Sequence, residues 1–135
     1  MEAKFKHYET SAYAKQENEC NHNLNYWKFG DYLGIGAGAH SKITSNFNIT
    51  RFSTYKNPKQ YIQEVNNNSY IQEEHLINNN DIPFEFMMNA LRLNDGFIID
   101  LFEQRTGLSL NSINSEIKLC LEKGLLELNN GRIRP

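Results

Sequence analysis

The residues best equipped for chemistry in this chain fall in one short run: His22, Asn23, Leu24, Asn25, Tyr26 and Trp27. It places the sole tryptophan beside a tyrosine, amides and an imidazole. A neutral imidazole ligates a metal, and the two rings can stack on a flat aromatic ligand. On a helical turn His22 neighbours Tyr26 and Asn23 neighbours Trp27, because residues four apart share a face. The same residues also suit an aromatic anchor that pins a loop to the core, with His22 hydrogen-bonded to backbone. A second run, Gly34, Ile35, Gly36, Ala37, Gly38 and Ala39, leads to His40. Read as a strand, it puts the three glycines on one side as a ribbon without side chains, while Ile35, Ala37 and Ala39 face the other. Glycine inside a strand costs roughly 0.5 to 1 kcal/mol relative to alanine. Either a closely approaching ligand or tight packing against another backbone must offset that cost. The spacing G-x-G-x-G ahead of a hairpin is not the dinucleotide fingerprint, which opens a helix.

Other chemistries find little support. His7, His40 and His75 have no partners at a metal-ligand spacing, and Glu73, Glu74 and His75 read as a solvated face. Cys20 and Cys120 are the only cysteines and stand far apart, so they read as reduced thiols rather than a zinc site, an iron–sulfur site or a disulfide scaffold. No G-x-S-x-G elbow occurs, which leaves hydrolase chemistry without a nucleophile.

The elements that must position these residues are legible in outline. Lys4 to Tyr8 reads as a short extended segment, and Thr10 to Asn21 as a polar loop. Period-2 character from Tyr32 to Thr44, turn residues Ser45 to Asn48, and a β-prone run from Ile49 to Tyr55 predict an antiparallel hairpin. Asn57 and Pro58 open a helix whose stripe of Tyr61, Ile62 and Val65 is expected to pack on that hairpin. Asp81 and Pro83 open another, with Phe84, Met87, Met88 and Leu91 as its apolar face and Gly96 as its stop. A third helix from Ile98 to Arg105 closes at Gly107. A fourth, capped by Ser112 and carrying Ile113, Ile117, Cys120 and Leu121, closes at Gly124. Leu125 to Leu128 and Arg132 to Arg134 flank an Asn-Gly turn, as in a hairpin. From residue 81 onward the order of helices and hairpin is that of a winged helix.

The 135 residues carry a formal charge of −2, a pI near 6.1 and a mean hydropathy of −0.64, with 12% aromatic residues. That is too short for a complete (β/α)₈ barrel of about 250 residues, yet aromatic enough to fold around a core. Residues 81–135 hold six basic and eight acidic residues, and Lys118 and Lys123 of the last helix face Glu116 and Glu122 in the count. A wing reading nucleic acid is therefore disfavoured. No apolar run approaches the roughly 20 residues that span a bilayer, and Met1 to Thr10 lacks the apolar stretch of a secretory signal. A cytoplasmic location follows.

Taken in order, Tyr8 to Ala14, Cys20 to Trp27 and Gly30 to His40 closely resemble the oxygen-independent coproporphyrinogen III oxidase-like radical SAM family. Pro83 to Leu93 is similar to the start of that family's HemN C-terminal domain. His22, Asn23, Tyr26 and Trp27 resemble the HNxxYW signature of the HemW branch, whose members are regarded as heme chaperones. The resemblance implies an α+β fold: residues 1–56 as the last strands of a radical SAM barrel, 57–80 as a linking helix and loop, and 81–135 as a winged-helix-like HemN C-terminal domain. It implies a parent with a [4Fe–4S] cluster, S-adenosylmethionine and heme, in which His22 ligates heme iron. Asn23, Tyr26 and Trp27 then lie against the porphyrin, and Gly34, Ile35, Gly36, Ala37 and Gly38 near the cofactor. The cluster motif C-x-x-x-C-x-x-C is absent, so the chain is expected to be a catalytically inert C-terminal part of such a protein. Its open sheet edges are expected to pair two copies as a homodimer. The competing expectations are coproporphyrinogen III oxidation by the parent and nucleic-acid binding through the wing.

Overall fold

A computed structural model describes residues 4–135. In chain order the elements are β1 (Lys6–Glu9), β2 (Ala12–Ala14), α1 (Asn21–Trp27), β3 (His40–Ser45), β4 (Asn48–Thr54), α2 (Pro58–Asn66), β5 (Ile71–Leu76), α3 (Ile82–Ala90), β6 (Phe97–Ile98), α4 (Ile99–Thr106), a 3₁₀ turn (Leu110–Ile113), α5 (Asn114–Glu122), β7 (Glu127–Asn129) and β8 (Arg132–Arg134). They form two compact units: residues 1–30 with 80–135, and residues 31–79. The fold is α+β, with small sheets and no closed barrel among the described residues.

In the first unit, β1 and β2 form an antiparallel hairpin in which His7 stacks on Tyr13 with ring centroids 4.4 Å apart. This corrects the expectation of a loop from Thr10 to Asn21, since β2 lies within it. The core of the unit is a ring cluster. Phe86 of α3 is fully buried and meets Phe29, Phe97 and Phe102 at centroid distances of 5.6, 5.1 and 5.2 Å, each close to perpendicular. Ile82 and Ala90, four residues to either side of Phe86, are buried with it. The expected face of α3 is thereby corrected: Phe84 and Met88 point outward, and the helix ends at Ala90, before Gly96. Both sets recur at helical spacing, and the one that meets the other phenylalanines is the one buried. β6 joins β8 and β7 in the order β6-β8-β7, and Asn130 and Gly131 both take positive φ in the turn between β7 and β8. That is the geometry of a two-residue primed turn. Before α5, the Ser109 hydroxyl accepts from the Asn111 amide at the start of the 3₁₀ turn, so Ser112 is not the cap.

The second unit is the three-stranded antiparallel sheet β3-β4-β5 with α2. Asn46 and Phe47, both at positive φ, make the β3–β4 turn. Asn57 caps α2 by accepting from the amides of Lys59 and Gln60. The expected packing of α2 on the hairpin is not seen: none of its residues is buried, and Ile62 and Val65 stay exposed. Residues 57–80 also contain a full strand, β5, paired with β4, so they are more than a linking helix and loop.

Candidate functional site

The 22–27 run is a helix, as its spacing allows. α1 has no side-chain cap at its start, so its stability rests on how its far end is held. There the Phe29 amide donates to the Tyr26 carbonyl and the Gly30 amide to the Asn25 carbonyl, at 2.9 and 2.8 Å. This is a Schellman stop. The left-handed position usually given to glycine is taken by Phe29, at φ +56°. A side chain there costs roughly 1 to 2 kcal/mol, which burial of the Phe29 ring against Phe86 offsets.

His22 sits on the first turn of α1 and is exposed. Its ring lies 4.8 Å from that of Tyr26 at 83°, so the i, i+4 neighbour is in contact. Asn23, Tyr26 and Trp27 are half-buried on the same helix. Trp27 does the anchoring. The Arg92 guanidinium lies over its ring at 4.3 Å, and the indole Nε1 is buried without an acceptor. Arg92 in turn donates to Glu9 Oε2 and Ser11 Oγ, both at 3.3 Å. Ser11 donates to Glu9 Oε1 from its amide and its hydroxyl, at 3.1 and 2.8 Å. Burial pushes the Glu9 carboxyl up, but the Ser11 donors and Arg92 more than reverse this and hold it below its ordinary range. The sequence reading missed Arg92 and Glu9, because the residues of the pair are 83 positions apart and share no local pattern.

The glycine run lies in the second unit. The expected strand is corrected there: β3 starts only at His40, and Gly34 to Gly38 is a loop with no single glycine face. Gly34 is needed because a Cβ would stand 2.3 Å from the carbonyl oxygen of His40. Gly36 has open space around it and is needed for its φ of +105°. The loop also bonds to itself and to the sheet. The Thr54 hydroxyl donates to the Gly36 carbonyl at 2.6 Å, the Gly34 amide donates to Ser41 Oγ at 2.9 Å, and the Gly38 amide donates to the Tyr55 carbonyl at 2.9 Å. The chain's own backbone therefore accounts for Gly34, and backbone conformation for Gly36 and Gly38, while the space over Gly36 stays open. Ile35 at the crest is 87% exposed, with Ala37 also outward. Beside the loop, buried Lys42 donates to Asp31 and Thr44 at 3.0 and 3.3 Å. Burial raises the Asp31 carboxyl, but Thr44 and Lys42 bring it below its ordinary range.

Cys20 is exposed and Cys120 half-buried, and among the described residues no three His, Cys, Asp or Glu side chains gather as a metal site. The chain's own donors thus do not fit a [4Fe–4S] cluster, while the exposed His22 imidazole is a donor of the type that ligates heme iron.

Residues 77–135 match the family model of the HemN C-terminal domain. The chain is 44% identical to a heme chaperone HemW of Haemophilus influenzae, over 94% of this chain and 32% of that protein. It is 39% identical to the heme chaperone HemW of Escherichia coli, over 92% of this chain and 32% of that protein. Among solved structures it is similar to the coproporphyrinogen III oxidase HemN of Escherichia coli, described as a radical SAM enzyme, with a TM-score of 0.61 and 18% identity over 96% of this chain and 33% of that one. The chain spans about a third of the length of the relatives it matches. The resemblance read from the sequence is borne out in both its branch and its C-terminal position.

Proposed function

We propose, from the match of residues 77–135 to the HemN C-terminal domain model and the similarity to heme chaperones, that this chain takes part in heme handling of the HemW kind and that His22 is its iron ligand. The observation that carries the reading is an exposed imidazole on a helix whose other end is locked by Trp27 and Phe29. A neutral imidazole binds heme iron through its unprotonated nitrogen. Asn23 and Tyr26 flank it on the same helix, and Trp27 fixes the orientation in which they are presented. The rest of a radical SAM protein would supply the cluster and S-adenosylmethionine. In the second unit, the loop of Gly34, Ile35, Gly36, Ala37 and Gly38 is proposed as a place of close cofactor approach, on the strength of the open space at Gly36. Coproporphyrinogen III oxidation is the weaker reading, because identity to HemN is 18% against 39–44% for the heme chaperones.

Among the described residues no helix is long and apolar enough to cross a membrane, and the reading assigns the chain to the cytoplasm. β5 is exposed along its whole length as an edge strand, and we infer that a second copy pairs there. Lys118 of α5 lies 4.0 Å from Glu122, so its charge is locally offset and does not favour nucleic acid.

The test is a heme titration of this chain and its His22→Ala variant, followed at the Soret band. Loss of the imidazole is expected to weaken binding by at least about tenfold, since even groups one step removed from a metal cost that much. Unchanged affinity removes His22 from the ligand role.

A further inference from the structure

We propose that Arg92 is a positioning residue for the heme helix: by clamping Trp27 it sets how α1 presents His22. The proposal rests on the heme-handling reading and adds to it a residue from the C-terminal domain segment. Three observations carry it.

The first is what orients the Trp27 ring. Its Nε1 is buried without an acceptor, so no hydrogen bond fixes it, and the contact over its face is the guanidinium, whose central carbon lies 4.3 Å from the ring centroid. An arginine stacks in this way while its edge stays free to bond, which a lysine cannot do. The second is what orients Arg92. Its side chain reaches the fully buried Glu9 and the exposed Ser11. Its carbonyl accepts from the Thr10 amide at 2.9 Å and from the Thr10 hydroxyl at 3.2 Å. The following residues continue the attachment: Leu93 bridges to Glu9, and Asn94 donates to the carbonyls of Tyr8 and His7. Arg92 is thus held at both backbone and side chain by the β1–β2 hairpin. The third is the size of α1. Seven residues without a side-chain cap make a helix too short to be stable alone, so the direction of its first turn, where His22 sits, follows from what grips its last turn. That grip is Phe29 in the ring cluster on one side and Trp27 under Arg92 on the other.

Trp27 is the sole tryptophan, so its emission reports the clamp directly and without heme. The experiment compares the unsubstituted chain with Arg92→Met, Arg92→Lys, Glu9→Gln and His22→Ala, using far-UV circular dichroism for folding, Trp27 emission for the clamp and hemin titration at the Soret band. Arg92→Met is expected to shift Trp27 emission and weaken hemin binding about tenfold, the scale seen when a group that orients a metal ligand is removed. Arg92→Lys keeps the charge beside Glu9 but not the stack, and is expected to restore folding without restoring affinity. Glu9→Gln is expected to act in the same direction more weakly, and it serves as the test if Arg92→Met does not fold. The proposal is overturned if Trp27 emission shifts in Arg92→Met or Glu9→Gln while hemin affinity stays within twofold and His22→Ala loses it. If His22→Ala alone leaves affinity unchanged, the iron-ligand reading fails while the clamp on Trp27 stands. Failure of the unsubstituted chain to bind hemin overturns both.

Discussion

Replacing Phe86 with leucine puts the ring cluster of the first unit to a quantitative test. The side chain is fully buried and stands edge to face with Phe29, Phe97 and Phe102, at interplanar angles of 69°, 80° and 87°. Such pairs are each worth about 0.5 to 1.5 kcal/mol beyond the area they bury. Leucine keeps most of the apolar burial and loses all three, so the expected cost is about 1.5 to 4.5 kcal/mol. Alanine, at about 3 to 5 kcal/mol, approaches the whole stability of a small domain, about 5 to 15 kcal/mol, which makes leucine the measurable choice. The assay is urea unfolding followed by Trp27 emission, because that residue lies in the same unit as Phe86. With a slope of about 1 kcal/mol per molar urea for a unit of this size, the midpoint is expected to fall by about 1.5 to 4.5 M. A fall of less than about 0.5 M at that slope would refute the view that this cluster holds the unit together.

Two other outcomes are expected. Glu9 is held below its ordinary value of 4.5, so its contribution to stability is complete above that value and is lost as pH falls through the lower folded value. The Trp27-reported midpoint should therefore drop more steeply below about pH 4.5 in the unsubstituted chain than in Glu9→Gln, and superimposable profiles would count against the buried pair. Pairing of two copies along β5 should appear in light scattering as a mass that rises toward twice that of the chain with concentration, and a constant monomer mass at high concentration rules it out.

Local signals were readable wherever they lay within a few residues of one another. Asn57 ahead of Pro58 marked the start of α2, and Asn130 with Gly131 marked the last turn, because each acts on its own backbone. His22 and Tyr26 were placed together by helical spacing alone. What the sequence could not decide was set by distant partners. Phe84 and Met88 compete with Ile82, Phe86 and Ala90 for the inside of α3, and the choice is made by rings from elsewhere in the chain. The polar run Ile71 to Leu76 carries no alternation to mark it as a strand, and becomes one through backbone pairing with β4. The glycine run was misread because its period suggested a pleat, whereas positive φ at Gly36 and Gly38 bends it into a loop.

The division of the first unit into residues 1–30 and 80–135, separated by the whole second unit, governs the order in which the molecule can assemble on the ribosome. The β1–β2 hairpin and α1 emerge before the second unit, yet Glu9 has no Arg92 and Phe29 has no Phe86 until more than fifty further residues have been made. The sheet of the second unit draws its pairings from neighbouring segments and is complete before then. Through that interval the nascent chain carries an unpaired carboxylate and uncovered rings, which chaperones and proteases can reach. Residues 80–135 therefore decide whether the segment made before the second unit is kept.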